Sequence, residues 1–235
     1  MIDYYNEFQS YATKHMGINP IQFEYWKTLQ TTLYNSVQVS GSLTPYILEE
    51  REMRVTQIDI FSRLMMDRIL WVAGPVNDQM STVVSAQLMF LDSLDSNKDI
   101  IMHIDSPGGS VKSGLSMVDV MNYISCDIST INTGMAASMG SILLGAGTKG
   151  KRFTLPNSCV MLHQVSAGAQ GHIEDMRIDM AQADKYNDKL FGMLSDYTGK
   201  SKKQVLIDCN RDNWLDADEA LKYGIIDGIV ENKKK

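Results

Sequence analysis

The sequence has few cysteines and no long apolar run. Its 235 residues include only Cys126, Cys159 and Cys209. An odd number at such wide spacing forms neither a metal-binding pattern nor a disulfide framework, which favours a reducing compartment. No apolar stretch approaches the roughly 20 residues that span a bilayer, and the N-terminus lacks the features of a secretory signal. We therefore expect a cytoplasmic protein with no membrane partner and no bound metal.

An excess of positive charge is also absent. The net charge is -6 at pH 7, which argues against non-specific binding of nucleic acids. The closing run of three lysines, 233–235, is read as a solvated tail. The chain length fits one large domain with a full core, and no linker rich in proline, glycine and serine interrupts it after residue 41. We therefore expect one soluble globular domain without a nucleic-acid partner.

Residues 1–41 differ from the rest of the chain. They hold eight of its 19 aromatic residues, whereas disordered tails are usually poor in aromatics. We therefore expect this segment to pack on something, at least transiently. The run Ser40-Gly41-Ser42 marks the predicted boundary between an N-terminal extension, 1–41, and a domain covering 42–235.

Helical and strand patterns alternate from residue 57 onward. The predicted strands are 69–73, 99–104, 128–132 and 160–163. The predicted helices are 58–68, 78–94, 111–124, 137–146 and 173–197, with shorter ones around 201–209 and 217–223. Strands that alternate with crossover helices predict an α/β fold with a mostly parallel sheet.

Two glycine-containing turns follow predicted strands, at 106–109 and at 134–141. Ligands of open α/β sheets bind beyond the carboxyl ends of the strands, so both turns should lie at the functional edge. Ser138 falls at the first turn of a predicted helix, where unpaired backbone N–H groups can hold a negative oxygen. A helix-capping serine is the alternative interpretation.

A serine nucleophile needs a base and a carboxylate. His163 is one of four histidines and closes a predicted strand, so it should reach the same sheet edge as Ser138. There it could take the proton of Ser138, although a hydrogen-bonded structural histidine is the alternative. With 28 acidic residues in the chain, spacing alone cannot choose the carboxylate, and Asp212 is one plausible candidate.

Several segments resemble the family of Clp protease proteolytic subunits. Segments 134–140, 161–164 and 210–215 are similar to its three catalytic blocks, and 106–109 is similar to its oxyanion turn. Further likeness at 150–158 and 219–227 extends the resemblance over about residues 42–230, in the family's order and spacing. Residues 1–41 have no counterpart in this resemblance.

The resemblance implies a role for each site residue. Ser138 would be the nucleophile, His163 the general base and Asp212 the acid that orients the imidazole. The backbone N–H groups of Gly109 and Met139 would form the oxyanion hole, where each donor can contribute a few kcal/mol to the transition state. The implied enzyme is a serine endopeptidase that needs no cofactor of its own.

The resemblance also implies a fold and an assembly. The fold would be a crotonase-like α/β core with a protruding handle at about 164–198, made of a strand at 166–171 and the helix 173–197. Two stacked seven-membered rings would meet through these handles and enclose the active sites. An AAA+ unfoldase of the ClpX, ClpA or ClpC type would use ATP and deliver unfolded polypeptides for protein quality control. This chain has no Gly-x-x-x-x-Gly-Lys-[Ser/Thr] loop itself.

The unfoldase would dock in an apolar cleft at the rim of the ring. The residues that the resemblance assigns to this cleft are Ile101, His103, Ile131, Phe153 and Leu155. The alternative is that all five simply belong to the core.

Two positions depart from the family pattern. Val165 stands where proline is usual, and Asp105 stands where asparagine is usual.

Two other functions stay open. An acyl-CoA lyase or isomerase of the crotonase group would share the oxyanion hole without a nucleophilic serine, and a non-catalytic ring subunit would only scaffold.

Residues 1–41 are expected to be a leader that the protease removes near Gly41, or else a permanent extension.

Overall fold

The structure is a computed structural model and describes residues 46–51 and 54–230. Nearly all of them belong to one compact unit, Ile47–Lys235. The predicted extension 1–41 lies outside the described residues. The strands are β1 (Tyr46–Arg51), β2 (Arg54–Asp59), β3 (Ile69–Ala73), β4 (Ile100–Ser106), β5 (Ile128–Ala137), β6 (Arg152–Thr154), β7 (Cys159–Leu162), β8 (Asn213–Leu215) and β9 (Gly228–Ile229). The helices are α1 (Ile60–Met66), α2 (Asp78–Leu94), α3 (Val111–Tyr123), α4 (Met139–Gly145), α5 (Ile173–Thr198), α6 (Lys202–Asp208) and α7 (Ala217–Tyr223).

The main sheet is parallel except at one edge. Its strand order is β3-β4-β5-β6-β9, with β7 paired to β5 and β8 paired to β7, while β1 and β2 form a separate two-stranded sheet. Strand β5 is long enough to hold two neighbours on one side: residues 130–132 pair with β6, and residues 135–137 pair with β7. Only β7 and β8 are antiparallel in this sheet. The predicted parallel α/β architecture is therefore present.

The core lies between the sheet and the helices packed on one of its faces. Alternate residues of β3 and β4, such as Val72, Met102 and Ile104, are fully buried. They share one apolar cluster with residues of α2 and α3, including Leu88 and Met117. The 2.0-residue period of the strands and the 3.6-residue period of the helices thus present their apolar sides to each other.

Short polar residues begin the helices that cover the sheet. The side chain of Asn77 accepts a hydrogen bond from Met80 N at 2.9 Å ahead of α2, and Asp216 forms a capping box with Glu219 at the start of α7. Such caps satisfy backbone N–H groups that have no partner inside the helix. Helix α5 ends at Gly199, whose φ of 73° is one that glycine adopts without strain.

A buried ion pair joins three distant parts of the chain. Arg152 on β6 is 3% exposed, and its Nη2 lies 2.6 Å from Asp227 Oδ1. The same guanidinium donates to the carbonyl oxygens of Tyr197, at the end of α5, and Gly224, after α7. Its donors are therefore well satisfied, as a buried charge requires.

Strand β3 and helix α2 have the bounds that the sequence predicts. The handle strand that the resemblance implies at 166–171 is not formed within this chain, where residues 163–172 have no regular secondary structure. A strand needs a neighbour for its N–H and C=O groups, and no described strand of this chain pairs with that segment.

Candidate active site

Ser138 lies at the junction between strand β5 and helix α4. Its φ of 53° and ψ of -120° are strained for a residue with a side chain. It occupies the cap position of α4 but makes no side-chain capping hydrogen bond, unlike the capping serine considered as the alternative. The backbone is held in place because Ser138 N donates to Met161 O at 2.9 Å and Ser141 Oγ donates to Ser138 O at 2.6 Å. A strained strand-to-helix turn of this kind is how some hydrolases present a nucleophile.

His163 and Asp212 are brought together by the antiparallel pairing of β7 and β8. Leu162 and Asn213 are the last paired residues. His163 follows Leu162 and Asp212 precedes Asn213, so these two residues lie side by side just beyond the paired strands. A hydrogen bond of 3.0 Å joins His163 Nδ1 to Asp212 Oδ1. The His163 side chain is 21% exposed and that of Asp212 is 62% exposed.

Ser138 and His163 line the same cavity of about 220 Å³. Gly109 and Met139 also line it, and its apolar wall includes Leu190. Within the described residues, the Ser138 hydroxyl makes no hydrogen bond to His163; catalytic hydrogen bonds often tighten only when substrate binds. The cavity can hold a small side chain next to a serine and a histidine.

The Gly108–Gly109 turn packs directly against Ser138. A Cβ atom on Gly108 would lie 2.7 Å from Ser138 Cβ and 2.9 Å from Met139 N, so only glycine fits there. Val76 holds the turn by donating its N–H to Gly108 O at 2.8 Å and accepting from Ser110 N at 2.9 Å. The N–H groups of Gly109 and Met139 donate to no residue that the structure describes. Two free donors therefore lie beside Ser138, which is the chemistry that an oxyanion requires.

The five residues of the predicted docking cleft lie in one half-buried region of the sheet. His103, Ile131 and Phe153 are neighbours in register across β4, β5 and β6. All five side chains are partly exposed, and none belongs to the buried core. The sequence analysis missed Trp71, whose ring stacks on His103 with ring centres 4.7 Å apart. Their pairing in register across β3 and β4 places them together, but a parallel register is not visible in a sequence.

One ring nitrogen of His103 lacks the hydrogen bond that a buried histidine usually makes. Its Nδ1 is shielded from solvent and has no hydrogen-bond partner among the described residues. Burial lowers the pKa of His103 below its usual value of 6.5. The neutral form is therefore favoured on this apolar part of the sheet.

Asp105 supports the backbone that leads to Ser138. Its Oδ1 accepts the N–H of Met135 at 3.0 Å, and a Cβ on Gly134 would lie 2.6 Å from that same oxygen. An asparagine oxygen could accept the same hydrogen bond, because both side chains place an acceptor at this position. This departure from the family pattern therefore leaves the turn before Ser138 intact.

Residues 46–51 and 54–230 contain no group of three or more histidines, cysteines or acidic residues arranged to hold a metal ion. No helix in this part of the chain has the length and apolar composition to cross a membrane.

Comparisons with known proteins agree with one another. The family model described as Clp protease matches residues 50–233. The ATP-dependent Clp protease proteolytic subunit of Porphyromonas gingivalis is 46% identical over 230 residues, which is 98% of this chain and 100% of that protein. The proteins of the same name from Bacteroides fragilis strain YCH46 and Ligilactobacillus salivarius are 46% and 47% identical, over 97% and 83% of this chain and 100% and 98% of their own lengths.

The alignments extend the likeness beyond the segments that carry the resemblance. An alignment over 98% of the chain includes most of residues 1–41. This segment, for which the resemblance offered no counterpart, is therefore matched in that protein. Its likeness was missed because the catalytic blocks that carry the resemblance all lie after residue 105.

Proposed function

This chain belongs to the Clp protease family, and on that premise we propose that Ser138, His163 and Asp212 form the catalytic triad of a serine endopeptidase. Ser138 Oγ attacks the scissile carbonyl carbon while His163 takes the hydroxyl proton and then gives it to the leaving amine. Water next attacks the acyl-enzyme, with His163 again as the base, and releases the acid and free Ser138. Because His163 Nδ1 is hydrogen-bonded to Asp212, the other ring nitrogen, Nε2, is the one that exchanges protons with Ser138.

The observation that carries this proposal is the 3.0 Å hydrogen bond between His163 and Asp212, with His163 lining the same cavity as Ser138. The carboxylate holds the imidazole in the tautomer that can act as a base. The N–H groups of Gly109 and Met139 would stabilise the negative oxygen of the tetrahedral intermediate. Every step uses side-chain and backbone groups of this chain and a water molecule, so the subunit itself needs no cofactor.

We further propose that the chain acts inside a double ring of two stacked seven-membered rings. The exposed apolar side chains on the first half of α5 support this, because Ile173 and Met180, seven residues apart and so on one side of the helix, are 64% and 47% exposed. Such a face is stabilised when a second copy covers it. The substrates would be unfolded polypeptides delivered by an AAA+ unfoldase, which would use ATP and dock on the cleft around His103 and Phe153.

Two alternatives remain distinct in what they require of Ser138. An acyl-CoA enzyme of the crotonase group would use the oxyanion hole without a nucleophilic serine. A non-catalytic ring subunit would need neither Ser138 nor His163. Both predict that a serine-reactive fluorophosphonate probe leaves Ser138 unlabelled.

The test combines this probe with Ser138→Ala and a fluorogenic peptide. We expect the probe to label wild-type Ser138, and Ser138→Ala to lose about 10³-fold or more in peptide hydrolysis with assembly intact. The neighbouring Ser141→Ala is a poor control because Ser141 holds the Ser138 carbonyl; the exposed Ser116→Ala on α3 is a better one. Wild-type hydrolysis rates in Ser138→Ala would refute the assignment.

Two further measurements test the ring and the partner. Native mass tests the ring, and degradation of an unfolded protein with and without a cognate ATPase tests the partner.

A further inference from the structure

The segment that follows His163 leaves the sheet without regular secondary structure. Strand β7 ends at Leu162 and α5 begins at Ile173. Backbone groups outside a ladder need other partners. Gln164 finds them on the loop before Asp212, because its backbone N–H donates to Cys209 O at 2.8 Å and its side chain donates to Asn210 O at 3.1 Å. One side of the segment is therefore fixed to the loop that carries the acid.

A single hydrogen bond fixes the other side of this segment to α5. The backbone N–H of Val165 donates to Asn187 Oδ1 at 2.9 Å, across 22 residues of sequence. Both residues are half-buried, so water competes less for this donor than at an open surface. The donor exists because position 165 is not proline. Proline, which is usual here in the family, has no N–H to offer.

Asn187 lies on the side of α5 that faces the cavity. Leu190 and Leu194 follow it by three and seven residues, which places all three on one helical face. Both leucines are buried and line the cavity, and Val165 lines it as well. The hydrogen bond from Val165 to Asn187 therefore ties two walls of the cavity to each other, two residues from His163.

We propose that Asn187 is a positioning residue for the His163 segment and that it acts by accepting the N–H of Val165. In this chain the amide of Asn187 supplies a restraint on the segment where the family pattern has the fixed φ of a proline. Asn187 contacts neither Ser138 nor the imidazole within the described hydrogen bonds, so its effect passes through Val165. This inference rests on the proposed function, because it takes His163 as the base of a peptidase.

A double-mutant cycle tests the proposal. Asn187→Leu keeps the shape of the side chain but removes the acceptor, and we expect kcat/KM for a fluorogenic peptide to fall about five- to tenfold, the effect of losing one hydrogen bond to a partly buried group. Asn187→Leu should have no further effect when Val165→Pro has already removed the donor. If Asn187→Leu costs the same factor in both backgrounds, or nothing in either, the proposal is wrong.

A conservative variant gives an independent readout. Asn187→Asp keeps an acceptor oxygen at the same position, so we expect it to retain kcat/KM within about twofold of wild type. Equal losses in Asn187→Asp and Asn187→Leu would overturn the proposal even if Val165→Pro did not assemble. Gln182→Leu makes the same amide-to-leucine change at an exposed position of α5 and controls for added apolar surface, with native mass recorded for every variant.

The failure of this proposal can be told apart from the failure of the proposed function. If wild-type protein neither hydrolyses the peptide nor labels at Ser138 with the fluorophosphonate probe, the peptidase assignment itself fails. If wild type does both and the cycle shows no coupling between Val165 and Asn187, only the positioning role fails.

Discussion

His163 Nδ1 lies 3.0 Å from Asp212 Oδ1, just beyond the last paired residues of strands β7 and β8. The strand pairing brings the two side chains into contact, although 49 residues separate them in the sequence. The side chain of Asp212 is 62% exposed, so solvent partly screens the electrostatic attraction between its carboxylate and a neighbouring charge. Its main effect on catalysis should come from the direction and tautomer of the imidazole.

Asp212→Asn should therefore lose activity without losing structure. The amide can donate to Nδ1 and stabilise the wrong tautomer, so we expect kcat for peptide hydrolysis to fall about 10²–10⁴-fold. Thermal unfolding should stay close to that of wild type. Asp218→Asn, an exposed change at the start of α7, is the matched control. Normal turnover in Asp212→Asn would assign the acid to another residue.

The sequence allowed the local part of this site to be predicted and left the long-range part open. Ser138 could be found because a strand pattern, a glycine and a run of small residues meet at one turn. Asp212 could not be chosen from residue types alone, because its position depends on β8, a three-residue strand that pairs antiparallel with β7. Such short strands carry too few residues to show a period of two. The resemblance singles out Asp212 as the proposed acid because it compares whole blocks of sequence.

The proposed docking surface shows the same limit. His103 and Ile131 lie on predicted strands, whose alternation predicts that one side of the sheet carries them, whereas Phe153 lies on β6, a three-residue strand that the sequence analysis did not predict. Their alignment in one row depends on the parallel register of three strands. Trp71 joins that row through β3, and nothing local to its sequence indicates it.

Phe153→Ser should separate protein degradation from peptide cleavage. Phe153 is half-buried in the row that includes His103, so the change removes apolar docking surface more than core packing. We expect ATPase-dependent degradation of a folded substrate to fall about tenfold or more, since aromatic anchors often contribute 2 kcal/mol or more at interfaces. Cleavage of a small peptide should persist. Phe90→Ser, at a 49% exposed phenylalanine of α2, is the control, and unfolding of Phe153→Ser would support the alternative that these residues are core.

Asp227→Ala should destabilise the fold and flatten its acid sensitivity. Burial alone would raise the pKa of Asp227, but hydrogen bonds and the charge from Arg152 outweigh it and hold that pKa below 3.8. A carboxyl whose pKa is lowered by folding stabilises the protein above its unfolded pKa, and this contribution is lost as the pH falls through the folded value. Wild type should therefore lose stability steeply below about pH 4, and Asp227→Ala less steeply.

At neutral pH, the loss of stability in Asp227→Ala depends on the Arg152 charge that the variant leaves without a carboxylate partner. Without Asp227, the buried Arg152 keeps its charge and only carbonyl partners, so we expect a loss of about 3 kcal/mol in the free energy of unfolding. Asp99→Ala breaks an exposed ion pair with the adjacent Lys151 and should cost under about 1 kcal/mol. Denaturant unfolding at one protein concentration measures both, and equal losses would contradict the difference in burial.

The last prediction concerns residues 1–41, which lie outside the described residues. Ser40 and Gly41 are small, unbranched residues at which a peptidase could cut, and the aromatic residues before them could cover apolar surface until they are removed. We predict cleavage within a few residues of Gly41 that depends on Ser138. Intact-mass measurement should find the shortened chain in active wild type and the full-length chain in Ser138→Ala. If active wild-type particles keep these residues, the segment is a permanent extension. Its aromatic residues would then pack on the assembled particle, where they could modulate access of the unfoldase.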